Sequence, residues 1–124
     1  MERRTTIAAG SAGEQRALEY LRSRGLRLLV RNFRCRLGEI DLVMRDGDVL
    51  VFVEVRCRRR NARVSAAESV DLRKQRKLVR AARMFLRLED RYARWPARFD
   101  VVACVLTPRG TGDVHWIPDA FRLD

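Results

Sequence analysis

Two short segments of this 124-residue sequence carry acids at spacings that can do chemistry. Gly38-Glu39-Ile40-Asp41 and Val51-Phe52-Val53-Glu54-Val55-Arg56 flank Arg45-Asp46-Gly47-Asp48, whose Asp-Gly pair is a strong hairpin signal. A two-residue Asp46-Gly47 turn sets Arg45 opposite Asp48, Asp41 opposite Phe52 and Glu39 opposite Glu54. Opposed residues share a face, so Asp41, Glu54, Arg56 and Glu39 fall on one side. Ile40, Leu42, Met44, Val49, Val51, Val53 and Val55 fall on the other, which this reading makes the core. Asp41 and Glu54 become diagonal neighbours, about 7–8 Å apart at the backbone. Their side chains can close on one cation, and two carboxylates with positions left for water and phosphate suit Mg²⁺. Such an ion stabilises charge on a phosphodiester and lowers the pKa of an attacking water. Ordinary alternation on a half-exposed strand, with Glu54 paired to Arg56, would give the same pattern without any chemistry. Leu50 and Phe52 share the acidic side, however, so it is partly covered, and covered carboxylates need a counter-charge.

Positive charge surrounds these acids. Lys and Arg total 27 against 16 acidic residues, a net charge of +11. An excess of this size on a small chain points to a polyanion, nucleic acid first. Arginine outnumbers lysine so heavily (Lys74 and Lys77 are the two lysines) that GC-rich coding explains the preference as well as chemistry does. Arg73, Arg76, Arg80, Arg83, Arg87, Arg91 and Arg94 recur at steps of three and four, one stripe of a helix. A solvated helix face usually mixes signs; this one is nearly all positive. Arg56, Arg58, Arg59, Arg60 and Arg63 form a second patch, on a loop leaving the strand that holds Glu54.

The elements that must position these residues follow from the same string. Ser11-Ala12-Gly13-Glu14 has capping-box spacing and opens a helix toward Arg24, ended by Gly25. Leu28 to Cys35, Ile40 to Met44 and Val49 to Val55 read as strands, and Arg56 to Arg63 as a loop. Asp71 caps a long helix from Leu72 to about Tyr92, with Leu78, Ala82, Phe85 and Leu86 opposite the arginines. Phe99 to Leu106 is a buried strand, Pro108 to Gly112 a turn, and Val114 to Ile117 a last short strand. The order αβββαββ gives a mixed sheet flanked by helices, in one domain spanning 1–124. Hydrophobic residues at 47% and charged residues at 35% exclude a disordered tail. No apolar run approaches the ~20 residues of a spanning helix, and no signal peptide is recognisable, so a cytoplasmic protein without membrane contact is expected. Cys35, Cys57 and Cys104 are widely spaced, which favours free thiols over disulfides or zinc. His115 is the single histidine. Trp95 and Trp116 border elements and read as packing.

With its flanking pieces, the Gly38–Asp41 and Val51–Arg56 pattern resembles the YraN family, small bacterial proteins of restriction-endonuclease-like fold. That family is similar to archaeal Holliday-junction resolvases and to PD-(D/E)xK nucleases. The likeness runs through Gly13-Glu14, Ala17 and Tyr20-Leu21, Asn32-Phe33-Arg34, Lys74-Gln75-Arg76 and Arg98-Phe99-Asp100-Val101-Val102. It implies an α/β restriction-endonuclease-like core and an endonuclease using Mg²⁺ or Mn²⁺ on DNA, branched DNA included. Asp41 and Glu54 would be metal ligands, with the Val55 carbonyl a third, and Glu14 an additional acid from the first helix. Arg56 stands where the family signature has lysine. Arginine keeps the charge and grips phosphate in two places, but it does not shed a proton. Lys74 can compensate in part if it faces the same cleft. Arg58, Arg59, Arg60, Arg63, Arg73, Lys74, Arg76 and Arg80 are the expected phosphate contacts, with DNA ahead of RNA, and resemblance alone suggests a homodimer. Two alternatives stand: a nucleic-acid-binding protein that has lost hydrolysis with its lysine, and an RNA-associated assembly protein.

Overall fold

The computed structural model describes residues 8–59 and 70–122. Helix α1 (Ala8–Ser23) precedes strands β1 (Arg27–Cys35), β2 (Gly38–Asp46) and β3 (Val49–Arg59). Helix α2 (Leu72–Leu88) and a 3₁₀ turn (Asp90–Tyr92) lead to β4 (Ala97–Thr107) and β5 (Gly110–Phe121). The five strands lie in sequence order in one sheet. Every pairing is antiparallel except β3 with β4, which run parallel because α2 provides the crossover between them. This is the αβββαββ arrangement of a restriction-endonuclease-like core.

The sheet is covered on both faces, so it has two cores rather than the one apolar face expected from alternation. On one side Leu78, Ala81, Ala82 and Phe85 of α2 pack on Ile40, Val43, Leu50, Phe52 and Phe99. On the other, Ala17, Leu18 and Leu21 of α1 pack on Leu42, Met44, Val51, Val53 and Val102. From Val49 to Val55, central β3 therefore reads as an apolar run interrupted only by Glu54. Gly13 lies against β3 so closely that a Cβ there would stand 2.2 Å from Cys57 Sγ. Its lack of a side chain is what lets α1 settle on the sheet.

Several boundaries differ from expectation. Helix α1 already runs from Ala8, since Ala8-Ala9 propagate a helix well, so Ser11 lies inside it and is not an N-cap. The capping-box role for Glu14 falls with that. Asp71 does cap α2, its carboxylate accepting the Lys74 N–H at 2.9 Å. The helix stops at Leu88, where Glu89 leaves helical dihedrals and the chain tightens to a 3₁₀ turn, short of Tyr92. Strand β3 continues through Arg59, because β4 pairs with it as far as Arg59↔Leu106. Arg58 and Arg59 are thus strand residues, while Arg60 and Arg63 lie outside the described residues. Strands β4 and β5 are longer than their apolar runs, joined by a tight Pro108-Arg109 turn in which Thr107 Oγ1 donates to the Gly110 carbonyl.

One clamp has no counterpart in the sequence pattern. Asp100, fully buried, accepts bonds from Arg98 Nε (3.0 Å), Trp116 Nε1 (2.9 Å) and the Asp119 N–H (2.9 Å). Arg98 also reaches Asp46 at 3.3 Å, tying β4 to the β2–β3 turn. A buried charge so fully partnered is structural. Trp116 accordingly packs, as does Trp95, whose ring lies under the Arg45 guanidinium at 4.9 Å.

Candidate active site

The hairpin register is displaced by two residues from the expected one. Asp46 pairs with Val49, Arg45 with Leu50, and the ladder ends at Leu42↔Val53. A two-residue slip preserves faces along the paired stretch from Leu42 to Asp46, and the same register extended by one step would set Asp41 opposite Glu54 rather than diagonal to it. The turn is Gly47-Asp48, with Gly47 at φ 61°, so glycine's left-handed freedom sets the register.

The ladder opens at Asp41 because β2 turns over there. Ile40 packs on the α2 side, whereas Leu42 and Met44 pack on the α1 side. Strict alternation would have kept all three together. Across the β1–β2 ladder Asp41 falls opposite Asn32, between the pairs Arg31↔Leu42 and Phe33↔Ile40, and Asn32 has φ 58°. A non-glycine residue in the left-handed region within a strand marks a built-in kink. Released from the ladder, the Asp41 carboxylate accepts the Val55 N–H at 2.8 Å.

Glu54 projects from β3 under the start of α2, with 5% of its surface exposed. Its Oε2 receives Arg56 Nη1 at 3.0 Å and Lys74 Nζ at 3.5 Å. Its carboxyl also lies close enough to that of Asp41 for the two charges to act on one another. Burial pushes the Glu54 pKa up to about 7, the Asp41 charge adds to the rise, and Lys74 and Arg56 oppose it. Burial likewise raises Asp41, against the pull of the Val55 N–H. Burial and the mutual repulsion of the two charges thus favour a proton on this carboxyl pair over its doubly ionised form.

Glu14 approaches Asp41 from the α1 side. Arg31 Nε lies 3.7 Å from it, the Asn32 side chain hydrogen-bonds to it, and burial followed by the Asp41 charge raises its pKa. Glu14 is thereby brought to Asp41 but not into one ligand set: among the described residues no three acidic, histidine or cysteine side chains group closely enough to hold an ion. Glu39 is exposed and pairs with Arg34 at 3.2 Å, and its charge adds to the rise at Asp41. Cys57 and Cys104 are free neighbours on β3 and β4, and burial raises the Cys57 thiol to about 11.

The basic stripe forms in part: Arg73, Arg76, Arg80, Arg83 and Arg87 are all exposed on α2, whereas Arg91 and Arg94 lie past its end at Leu88, in and after the 3₁₀ turn. Lys74 differs from them, being turned into the acidic cleft. The i+1 spacing from Arg73 separates it from the stripe on a helical projection, but nothing in the sequence aims it at Glu54.

With these positions in place, the chain can be compared with known proteins. The model of uncharacterised protein family UPF0102 matches residues 13–104, from the helix that carries Glu14 to the strand beside Glu54. The chain belongs to the UPF0102 family. A UPF0102 protein of Stutzerimonas stutzeri is 54% identical over 115 residues, covering 93% of this chain and 95% of its own. One of Pseudomonas syringae is 49% identical over 121 residues, 98% of each chain. UPF0102 is the family of the YraN resemblance, and the relatives' names add no activity to it.

The raised Glu54 pKa predicts a pH dependence of stability for this UPF0102 member. The native carboxyl titrates near 7 and the unfolded one near 4.5, so the native state holds the extra proton between those values. The contribution is full below about pH 4.5 and is lost as pH rises through about 7, on the order of 3 kcal/mol at most. Glu54→Gln, which cannot ionise, should remove that decline. Urea denaturation of both proteins from pH 5 to pH 8 without divalent ions measures it, and parallel curves would show that Glu54 is already ionised.

Proposed function

We propose that this protein is a divalent-cation-dependent nuclease hydrolysing phosphodiester bonds in DNA, branched DNA included. The observation that carries this reading is the pair of carboxyl groups, buried Glu54 and half-buried Asp41, brought together beside two cations that can turn to a phosphate. Hard oxygen donors forced together at the cost of a raised pKa fit Mg²⁺ or Mn²⁺. Asp41 and Glu54 would hold the ion, which when bound would neutralise phosphate charge and lower the pKa of the attacking water. Asp41 is aimed by the Val55 N–H. Arg56 and Lys74, turning from Glu54 Oε2 to the substrate, stabilise negative charge on the phosphate. Lys74 is a compact ammonium that can also yield a proton; Arg56 supplies charge and a two-point grip. Glu14, anchored by Arg31 and Asn32, adds negative potential beside Asp41.

The test is purified protein with a four-way junction, a duplex and a single strand, each with Mg²⁺, Mn²⁺ or EDTA. Cleavage only with a divalent ion supports the proposal; none on any substrate removes it. Arg56 in the lysine position favours a second reading, a binding protein without hydrolysis, which the same experiment separates by finding tight binding and no cutting.

Binding itself rests on the arginines. Converting both Arg58 and Arg59 to Glu should weaken DNA affinity at least tenfold at about 0.1 M salt. It should also flatten the salt dependence by about one slope unit for each phosphate no longer neutralised. Both lie at the last two positions of β3, Arg59 exposed and Arg58 partly so, outside both cores, so the melting temperature should hold. An unchanged salt slope would move the phosphate-binding surface to α2.

A further inference from the structure

Beyond the acidic cleft, a groove of about 360 Å³ runs between α2 and the end of β5. Leu72, Val79 and Phe121 give it apolar walls, and Arg76, Arg80 and Arg83 line it with positive charge. Among the described residues no acidic side chain lines it. The helical residues span Leu72 to Arg83, a length of about 16 Å at the α-helical rise. Leu72, at one end of the groove, shares the first turn of α2 with Lys74, whose ammonium rests on Glu54. Phe121 is held by stacking on Phe99, with ring centres 4.6 Å apart and planes within 10°. Leu72 is 66% exposed at the first position of its helix, an apolar side chain set among arginines.

Basic charge alone would suit any phosphate backbone. A duplex, however, keeps the faces of its bases stacked inside and presents only phosphates and groove edges. An apolar wall with an aromatic ring gains nothing from that surface. An unpaired strand offers both partners at once, with phosphates for the arginines and base faces for the apolar wall. We infer that this groove binds a single-stranded segment of nucleic acid. The proposal rests on the reading that the chain binds nucleic acid and deepens it: the preferred substrate carries an unpaired strand next to the position cleaved, as a flap or an opened branch does.

The experiment measures binding in EDTA, where nothing is cut, so its outcome is independent of the nuclease reading. Fluorescence anisotropy compares a labelled single strand with a blunt duplex of equal length. The variants are Leu72→Gln, which removes an apolar surface without changing charge at an exposed position, and Phe121→Leu, which keeps bulk and removes the ring. Each should weaken single-strand binding about five- to tenfold and duplex binding less than twofold, since base stacking goes and the phosphate grip stays. Equal weakening on both substrates, or none on the single strand, overturns the proposal. So does displacement of the wild-type complex by an acidic peptide from which the Leu72→Gln protein is immune, because the groove would then be a protein-docking site. Cleavage by the wild type in Mn²⁺, scored separately, decides the nuclease reading. Retained groove selectivity without cleavage would overturn that reading alone.

Discussion

Glu54→Ala should abolish metal-dependent cleavage, by at least about a thousandfold, while leaving nucleic-acid binding unchanged or tighter. An ion held by two side-chain carboxylates loses one of them, and Lewis-acid stabilisation of a phosphoryl transition state is worth several kcal/mol, each ~1.36 of which is tenfold in rate. Affinity moves the other way because a negative charge leaves a cleft that phosphate must enter. The substitution also strands Arg56 and Lys74, which both rest on Glu54 Oε2, so a fold control is needed. Glu54→Gln keeps the size and the hydrogen-bonding capacity but not the charge. It should be as inactive as the alanine variant and should melt no lower than wild type above pH 7. Mn²⁺ should raise the melting temperature of the wild type and of neither variant. If Glu54→Gln cuts at the wild-type rate, Glu54 is a structural acid and the ion, if any, binds elsewhere.

How far the sequence leads to this cleft differs from residue to residue. The alternation around the Asp-Gly turn is enough to put Asp41 and Glu54 on one face, because a shift of two residues leaves faces intact. It is not enough to find their true register, since Asp46-Gly47 and Gly47-Asp48 are equally acceptable two-residue turns. The kink is hidden for a different reason. Ile40 and Leu42 are both apolar, so the string contains no sign that β2 turns over between them; the sign lies in Asn32, on another strand, at a left-handed dihedral. Ser11 and Glu14 have the spacing of a cap, but Ala8 and Ala9 extend the helix past Ser11 and leave Glu14 to face Asp41. Asp100 is invisible as a clamp until Trp116 and Asp119 arrive from β5, sixteen and nineteen residues away. Local pattern carries the elements, whereas the meeting of distant segments decides what each acid does.

Lys74 is the residue on which the choice between nuclease and binding protein turns, and Lys74→Ala should lower the cleavage rate about 10²- to 10³-fold. That is the usual loss when one preorganised charge aimed at a transition state is removed. Binding should change by less than about threefold, as the α2 arginines remain exposed. Arg56→Lys should keep or raise the rate, because it places a compact ammonium on β3, beside the carboxylate that Lys74 already meets at 3.5 Å. The double variant is the informative one. If the cleft needs a lysine, from whichever element, Arg56→Lys should restore most of the activity that Lys74→Ala removes. Lys74→Arg separates the two ways a lysine can act, since arginine retains the charge and cannot give up its proton. Activity kept in Lys74→Arg assigns electrostatic stabilisation; activity abolished there, with DNA binding retained, assigns a step that needs the ammonium itself. Wild-type rates in Lys74→Ala would leave the ammonium as no more than a partner that steadies Glu54. A wild type that is inert and an Arg56→Lys variant that cuts would locate the lesion in a single side chain. If every one of these proteins binds DNA and none cuts it, and Mn²⁺ fails to shift the melting of any, the carboxylate pair is not a metal site and binding is the function.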